Sequence, residues 1–248
     1  MMLKKEFTKP GTLYAVALLG MFTFLFLGTE YMYVNMLSLT AGEEQTVIAQ
    51  NYALGFSAVG FFLYPLVHRF LKRGPRGVLL AVLALVAVGC NVLIQRHSSY
   101  ASTLLSGMTL FLVLGLLGSL IHYLFWSLVA DRNCLARLVG LSYGLGILLQ
   151  FVNNNLAGLQ TIEVWILSSS LLGLLAILPK AESLSCNAPA ESPSHEKANR
   201  KQVASGVLLA LLIVLMACIF STLDNAVTLR HGSDANIGQW PRLLLAAS

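Results

Sequence analysis

Residues 63–94 read LYPLVHRFLKRGPRGVLLAVLALVAVGCNVLI. The stretch closes one apolar run, passes through a short loop holding Arg69, Lys72, Arg73 and Arg76, and enters a second run, Gly77 to Ile94, with no charged residue. As a helix that second run is about 27 Å long, which matches a hydrocarbon core of about 30 Å. Lipid leaves no partner for an unpaired backbone N–H or C=O, so such runs must be helical. A basic loop between two spanning helices is the pattern of a polytopic helical membrane protein.

Working outward, the same reading applies on both sides. Expected spans are Leu13 to Leu37, Asn51 to Phe70, Gly77 to Ile94, Thr103 to Leu128, Leu138 to Leu156 and Val164 to Leu178, then Val203 to Val227. Only 11% of the 248 residues are charged and 56% are hydrophobic, against about 25% charged in a soluble domain. Lys4, Lys5 and Lys9 precede span 1 as in a signal peptide, but the run is too long and no small-residue cleavage site closes it. Span 1 is therefore retained.

Basic residues favour the cytoplasmic side of short loops. With the N-terminus inside, 13 of the 16 Lys and Arg fall in cytoplasmic segments; Arg96, Arg230 and Arg242 do not, and the first outer loop carries Glu43 and Glu44. This predicts six spans with both ends cytoplasmic. The net charge of +5 follows from that bias and from anionic lipid, and gives no reason to expect nucleic acid. Residues 180–202 contain Ser183, Ser185, Pro189, Ser192, Pro193, Ser194 and seven charged residues, a composition that predicts a flexible cytoplasmic linker. The expected organisation is a six-helix bundle over 1–179, the linker over 180–202, and the start of a second bundle over 203–248. The twelve residues from Ile237 to Ser248 are too few to span; they read as the first half of an eighth span, and the chain as a fragment.

This layout resembles the major facilitator superfamily, in which two six-helix bundles are joined by a long cytoplasmic loop. Between spans 2 and 3 that family carries Gly, three residues, Asp, Arg, any residue, Gly, Arg, then Arg or Lys. The corresponding residues here are Tyr64, Pro65, Leu66, Val67, His68, Arg69, Phe70, Leu71, Lys72 and Arg73. Arg69 and Arg73 match and Lys72 keeps the charge, whereas Tyr64, His68 and Leu71 replace Gly, Asp and Gly. The resemblance implies an all-α secondary carrier working by alternating access, with His68, Arg69, Lys72 and Arg73 in the gating loop; a loop that only sets topology is the plainer reading. The expected location is the plasma membrane of a bacterial cell, N-terminus inside.

Several polar residues inside spans are candidates for chemistry. Glu30 follows Gly28 and Thr29 near the end of span 1, and Asp224 follows Ser221 and Thr222 near the end of span 7. Under a six-span repeat these positions are equivalents. A carboxylate is costly at the centre of a bilayer and less so toward its edge, so the pair points either to coupling with H+ or Na+ or to acids that merely reach the headgroups. Gln150 is the expected cavity-facing amide of span 5, while Asn153, Asn154 and Asn155 suit helix-end capping. His122, Tyr123 and Trp126 read as an interfacial aromatic belt. Gly107, Gly115, Gly118, Gly140, Gly144 and Gly146 suit close helix packing, and Pro65 should kink or end span 2.

The four cysteines, Cys90, Cys134, Cys186 and Cys218, have no metal-ligand spacing. No Gly-rich phosphate loop with Lys, and no Ser, His and Asp grouping, argues for ATP use or hydrolysis. The expectation is a non-enzyme without cofactors, whose partners are the bilayer, a small uncharged or cationic amphipathic substrate and a coupling ion. A membrane sensor with a carrier-like bundle, and a nonfunctional remnant, remain as alternatives.

Overall fold

The computed structural model describes residues 10–71, 73–96, 98–129, 134–156 and 160–187. It is all-helical over these residues apart from short connections. The elements are α1 (Pro10–Ser38), α2 (Glu43–Phe70), α3 (Arg73–Arg96), α4 (Tyr100–Leu128), α5 (Leu135–Leu156) and α6 (Gln160–Asn187). All six are long and apolar enough to cross a membrane. Most of the expected linker, the seventh and eighth spans, and with them Asp224, lie outside the described residues.

The helices differ from the expected spans mainly at their ends. α2 begins at Glu43, eight residues before Asn51, because Glu43 and Glu44 occupy its first turn, where carboxylates meet the positive end of the helix dipole. Residues expected in an outer loop therefore start a helix. Thr46 adds a bond from its Oγ1 to the Gly42 carbonyl at 3.0 Å. α4 begins after Ser99, whose hydroxyl accepts from the Ser102 N–H at 3.3 Å. Pro65 does not end α2, which continues to Phe70. Proline removes one bond to the preceding turn, and a spanning helix tolerates that loss where its neighbours support it. α6 continues through Pro179 to Asn187, so the first eight residues of the expected linker are helical.

α1 and α4 form the buried centre. Tyr33, Phe111, Leu18, Leu19, Leu110 and Leu114 are among the largest fully buried side chains. Phe111 receives the ring of Phe26 edge-on, centroids 5.5 Å apart, and that of Tyr33 at 5.8 Å. The other helices pack around this pair in a regular way. α2 lies on α4 and α5 on α1; α3 lies on α4 and α6 on α1; α3 and α6 pack on each other. Exchanging α1, α2 and α3 with α4, α5 and α6 carries each of these contacts into another. The exchange is imperfect, since α1 also touches α2.

Two glycine crossings set the closest approaches. At α2 against α4, a Cβ on Gly60 would overlap the Leu112 carbonyl oxygen, and one on Gly115 would overlap that of Ser57. At α1 against α5, a Cβ on Gly146 would lie 2.8 Å from the Gly20 carbonyl oxygen, and one on Gly20 would lie 3.2 Å from that of Ser142. At the α1–α5 crossing the Thr23 and Leu145 side chains are closer still, at 2.5 and 3.1 Å; at the α2–α4 crossing backbone meets backbone, which cannot swing aside as a long side chain can. Glycine is required there because lipid supplies little hydrophobic drive between helices, so close van der Waals contact carries the association.

Gly60→Leu or Gly115→Leu should each destabilise the bundle by about 3 kcal/mol, at the upper end of overpacking costs. Gly140→Ala, where a Cβ meets nothing within 4 Å, should change little. Thermal unfolding of purified protein in one detergent measures the difference.

Candidate functional site

Polar groups collect at three levels of the bundle. Six residues before the end of α4, His122 projects among residues of three other helices. Its Nδ1–H donates to the Gly118 carbonyl at 2.7 Å, a bond closing one helical turn. A carbonyl can only accept, so in the neutral ring Nε2 is left as an acceptor, and the Tyr143 hydroxyl of α5 donates to it at 3.1 Å. Phe22 of α1 and Phe61 of α2 meet the imidazole edge-on, with centroids 6.2 and 5.7 Å away. Tyr143 remains 39% exposed. His122 is thus a bonded residue joining four helices rather than part of an interfacial belt. Tyr123 and Trp126 are exposed, as a belt requires.

The second level lies toward the end closed by the connections between α1 and α2, α3 and α4, and α5 and α6. There the Gln50 amide of α2 donates to Glu30 Oε1 of α1 at 2.8 Å. Gln50 carried no signal in the sequence, since a single amide before an apolar run looks like a loop residue. Gln150 of α5 is 2% exposed and donates through Nε2 to Asn154 Oδ1 at 2.6 Å. Its Oε1 faces α1: a Cβ on Gly28 would lie 2.7 Å from that oxygen and 2.6 Å from Leu167 Cδ2 of α6. Asn153 is buried with both amide atoms unpartnered. Of the three amides expected to cap the helix, Asn155 does bond its own helix, donating to the Phe151 carbonyl at 2.7 Å.

The third level, at the opposite end, holds the loop between α2 and α3. His68 is flanked by the rings of Tyr64 and Tyr123, centroids 5.9 and 5.2 Å away, and the Arg69 guanidinium lies 6.0 Å from the Phe70 ring. The Lys72 and Arg73 side chains lie outside the described residues. The ion pair at this end is made by residues that the sequence reading assigned only to topology and to the linker. Arg76 Nη2 of α3 meets Glu182 Oε1 of α6 at 3.2 Å, with the side chains 12% and 14% exposed. One turn onward the Ser185 hydroxyl of α6 donates to Ser127 Oγ of α4 at 2.7 Å. These bonds tie the ends of α3, α4 and α6 together.

Among the described residues, no three His, Cys, Asp or Glu come close enough to hold a metal ion. Comparison with known proteins finds no matching family model, no matching curated protein and no matching solved structure.

Removing either partner of the Arg76–Glu182 pair leaves a half-buried charge, so Arg76→Ala or Glu182→Ala should each cost about 3 kcal/mol. The exchanged pair, Arg76→Glu with Glu182→Arg, should recover much of that loss, as a double-mutant cycle on thermal unfolding reads out. Tyr143→Phe should cost about 1 kcal/mol; combined with His122→Phe it should cost less than the two single losses added, because one bond is removed only once.

Proposed function

We propose that the chain forms one bundle, and the start of a second, of a secondary carrier of the major facilitator type, moving a small molecule by alternating access. The observation that carries this reading is the exchange pattern of the packing. Two sets of three helices make equivalent contacts, each crossing its partner set at a backbone-to-backbone glycine contact. Transporter bundles are commonly built from such internal repeats. An enzyme reading would need a nucleophile, a paired acid and base, or a phosphate cradle, and the polar groups described above make none of these arrangements.

In this reading the substrate lies against the exposed face around Tyr143, His122 and Phe61, where aromatic rings meet one hydrogen-bonding imidazole. Such a surface favours an uncharged or cationic amphipathic molecule: rings attract cations through their faces, and the described site presents no basic group for a phosphate. Glu30 is the coupling group. Its carboxyl accepts from the Gln50 amide of α2, which ties an acid on α1 to a second helix. Asp224, which follows Ser221 and Thr222 as Glu30 follows Gly28 and Thr29, is the second candidate coupling acid.

The test uses membrane vesicles from cells making the native protein, with ethidium as a cationic amphipathic probe and an imposed pH gradient. Glu30→Gln and Asp224→Asn should each reduce gradient-driven movement of the dye by tenfold or more while leaving membrane insertion intact. Full transport by both variants would remove the coupling role, and absence of gradient-driven movement of any amphipathic probe would remove the carrier reading.

A further inference from the structure

We propose that Glu163 of α6, with Gln150 and Asn153 of α5, forms a binding site for a monovalent alkali cation, Na+, between α1, α5 and α6. The site is separate from Glu30 and from the His122 cluster. It rests on the carrier reading only for its use, not for its existence.

The placement follows from contacts and helix geometry. Gly28 of α1 is the point where α5 and α6 converge, because both Gln150 Oε1 and Leu167 Cδ2 reach the space beside its Cα. Glu163 precedes Leu167 by four residues, one turn of α6 on nearly the same face. Asn153 and Asn154 follow Gln150 by three and four residues, one turn of α5 on the same face. The two helices run in opposite directions, joined by a short connection, so these steps lead toward the same end of the bundle. Glu163 and the two asparagines therefore stand at one level, a turn beyond Gln150 and Leu167. Both helices pack on α1, whereas among the described residues they make little contact with each other. The space between them is left to side chains.

The chemistry of these side chains is that of an oxygen site with one negative charge. Glu163 is half-buried, and among the described residues no hydrogen bond or ion pair satisfies its carboxylate. Gln150 is 2% and Asn153 is 7% exposed, yet Gln150 Oε1 and both amide atoms of Asn153 lack a partner. Buried polar atoms are normally paired, so two unpartnered oxygens, Gln150 Oε1 and Asn153 Oδ1, near the level of an unpaired carboxylate point to a ligand that takes oxygen donors; Asn153 Nδ2 can only donate. The bond from Gln150 Nε2 to Asn154 fixes the amide and leaves its carbonyl oxygen turned to the α1–α6 side. Hard oxygen donors suit hard cations and disfavour zinc or copper, which prefer nitrogen and sulfur. One carboxylate balances one positive charge, which favours Na+ over Ca2+ or Mg2+.

The test is equilibrium binding of radioactive Na+ to the purified full chain in detergent, with choline as the inert salt. Wild-type protein and Glu44→Gln, at an exposed acid of the first turn of α2, should bind Na+ saturably. Glu163→Gln should bind at least tenfold more weakly while eluting and unfolding like the wild type, and Gln150→Met should also weaken binding. Glu163→Asp, which keeps the charge, should retain binding and so exclude a folding artefact. Absence of saturable binding by the wild type, or unchanged binding by Glu163→Gln, would overturn the site. So would a Glu163-dependent proton uptake that Na+ does not displace, because the group would then serve protons alone. Binding is measured without transport, so a protein that binds Na+ but moves no probe would remove the carrier reading and leave the site standing.

Discussion

Backbone against backbone, at Gly60 with Gly115 and at Gly20 with Gly146, is the contact on which the rest of the arrangement depends. In lipid, a helix satisfies its own polar backbone and gains little by hiding apolar side chains from a solvent that is itself apolar. What remains is the depth of van der Waals contact, which falls off within a fraction of an ångström. The two glycine crossings permit α2 to lie on α4 backbone against backbone, and α5 on α1 with only the Thr23 and Leu145 side chains as close as the backbone. They thereby fix how far apart every other group must be, including the His122–Tyr143 bond, which bridges α4 and α5 although the two helices scarcely touch.

The spans were readable from the sequence because lipid imposes a length and a composition that little else shares. Their ends were less so. Glu43 and Glu44 look like loop residues by charge, yet charge of that sign is favourable at a helix start, and the helix absorbed them. Lys180 and Glu182 look like the start of a linker, yet Glu182 is held by Arg76, 106 residues away in sequence. No local pattern encodes that partner. The same limit hid Gln50, whose role comes entirely from Glu30 on another helix. Glu163 was missed for a simpler reason: it stands one residue before the apolar run that began at Val164, and a carboxylate at that position reads as a boundary.

Gln150, a lone amide inside a spanning run, must find a partner or a cavity, and it is buried with one atom bonded to Asn154. His122 is harder to read. A histidine near two aromatic residues suits an interfacial belt, and only the arrival of Phe22, Phe61 and Tyr143 from three other helices distinguishes the two situations. The glycines were read as packing residues without an assignment to partners, since spacing along one helix says which face is small but not what lies against it. Gly140, four residues from Gly144 and part of the same sequence pattern, meets nothing.

Both ends of the bundle carry polar side chains bonded between helices, and both leave some buried atoms without a partner. At the end holding the α2–α3 loop, Arg76 meets Glu182, Ser185 meets Ser127 and His68 lies between two tyrosine rings, while Arg76 Nε and the Tyr64 hydroxyl are buried and unpartnered. Breaking the Arg76–Glu182 pair strands a poorly solvated charge, so the ends of α3 and α6 should move together. At the other end Glu30 accepts from Gln50, while Gln150 has one of its two polar atoms satisfied and Asn153 neither. Such groups can take up an ion, a proton or another side chain at little cost to the bonds already made. Because Gln150 Oε1 of α5 faces Gly28 of α1, a change of partner there can tilt α5 against α1 while the Arg76–Glu182 pair holds the far ends of α3 and α6.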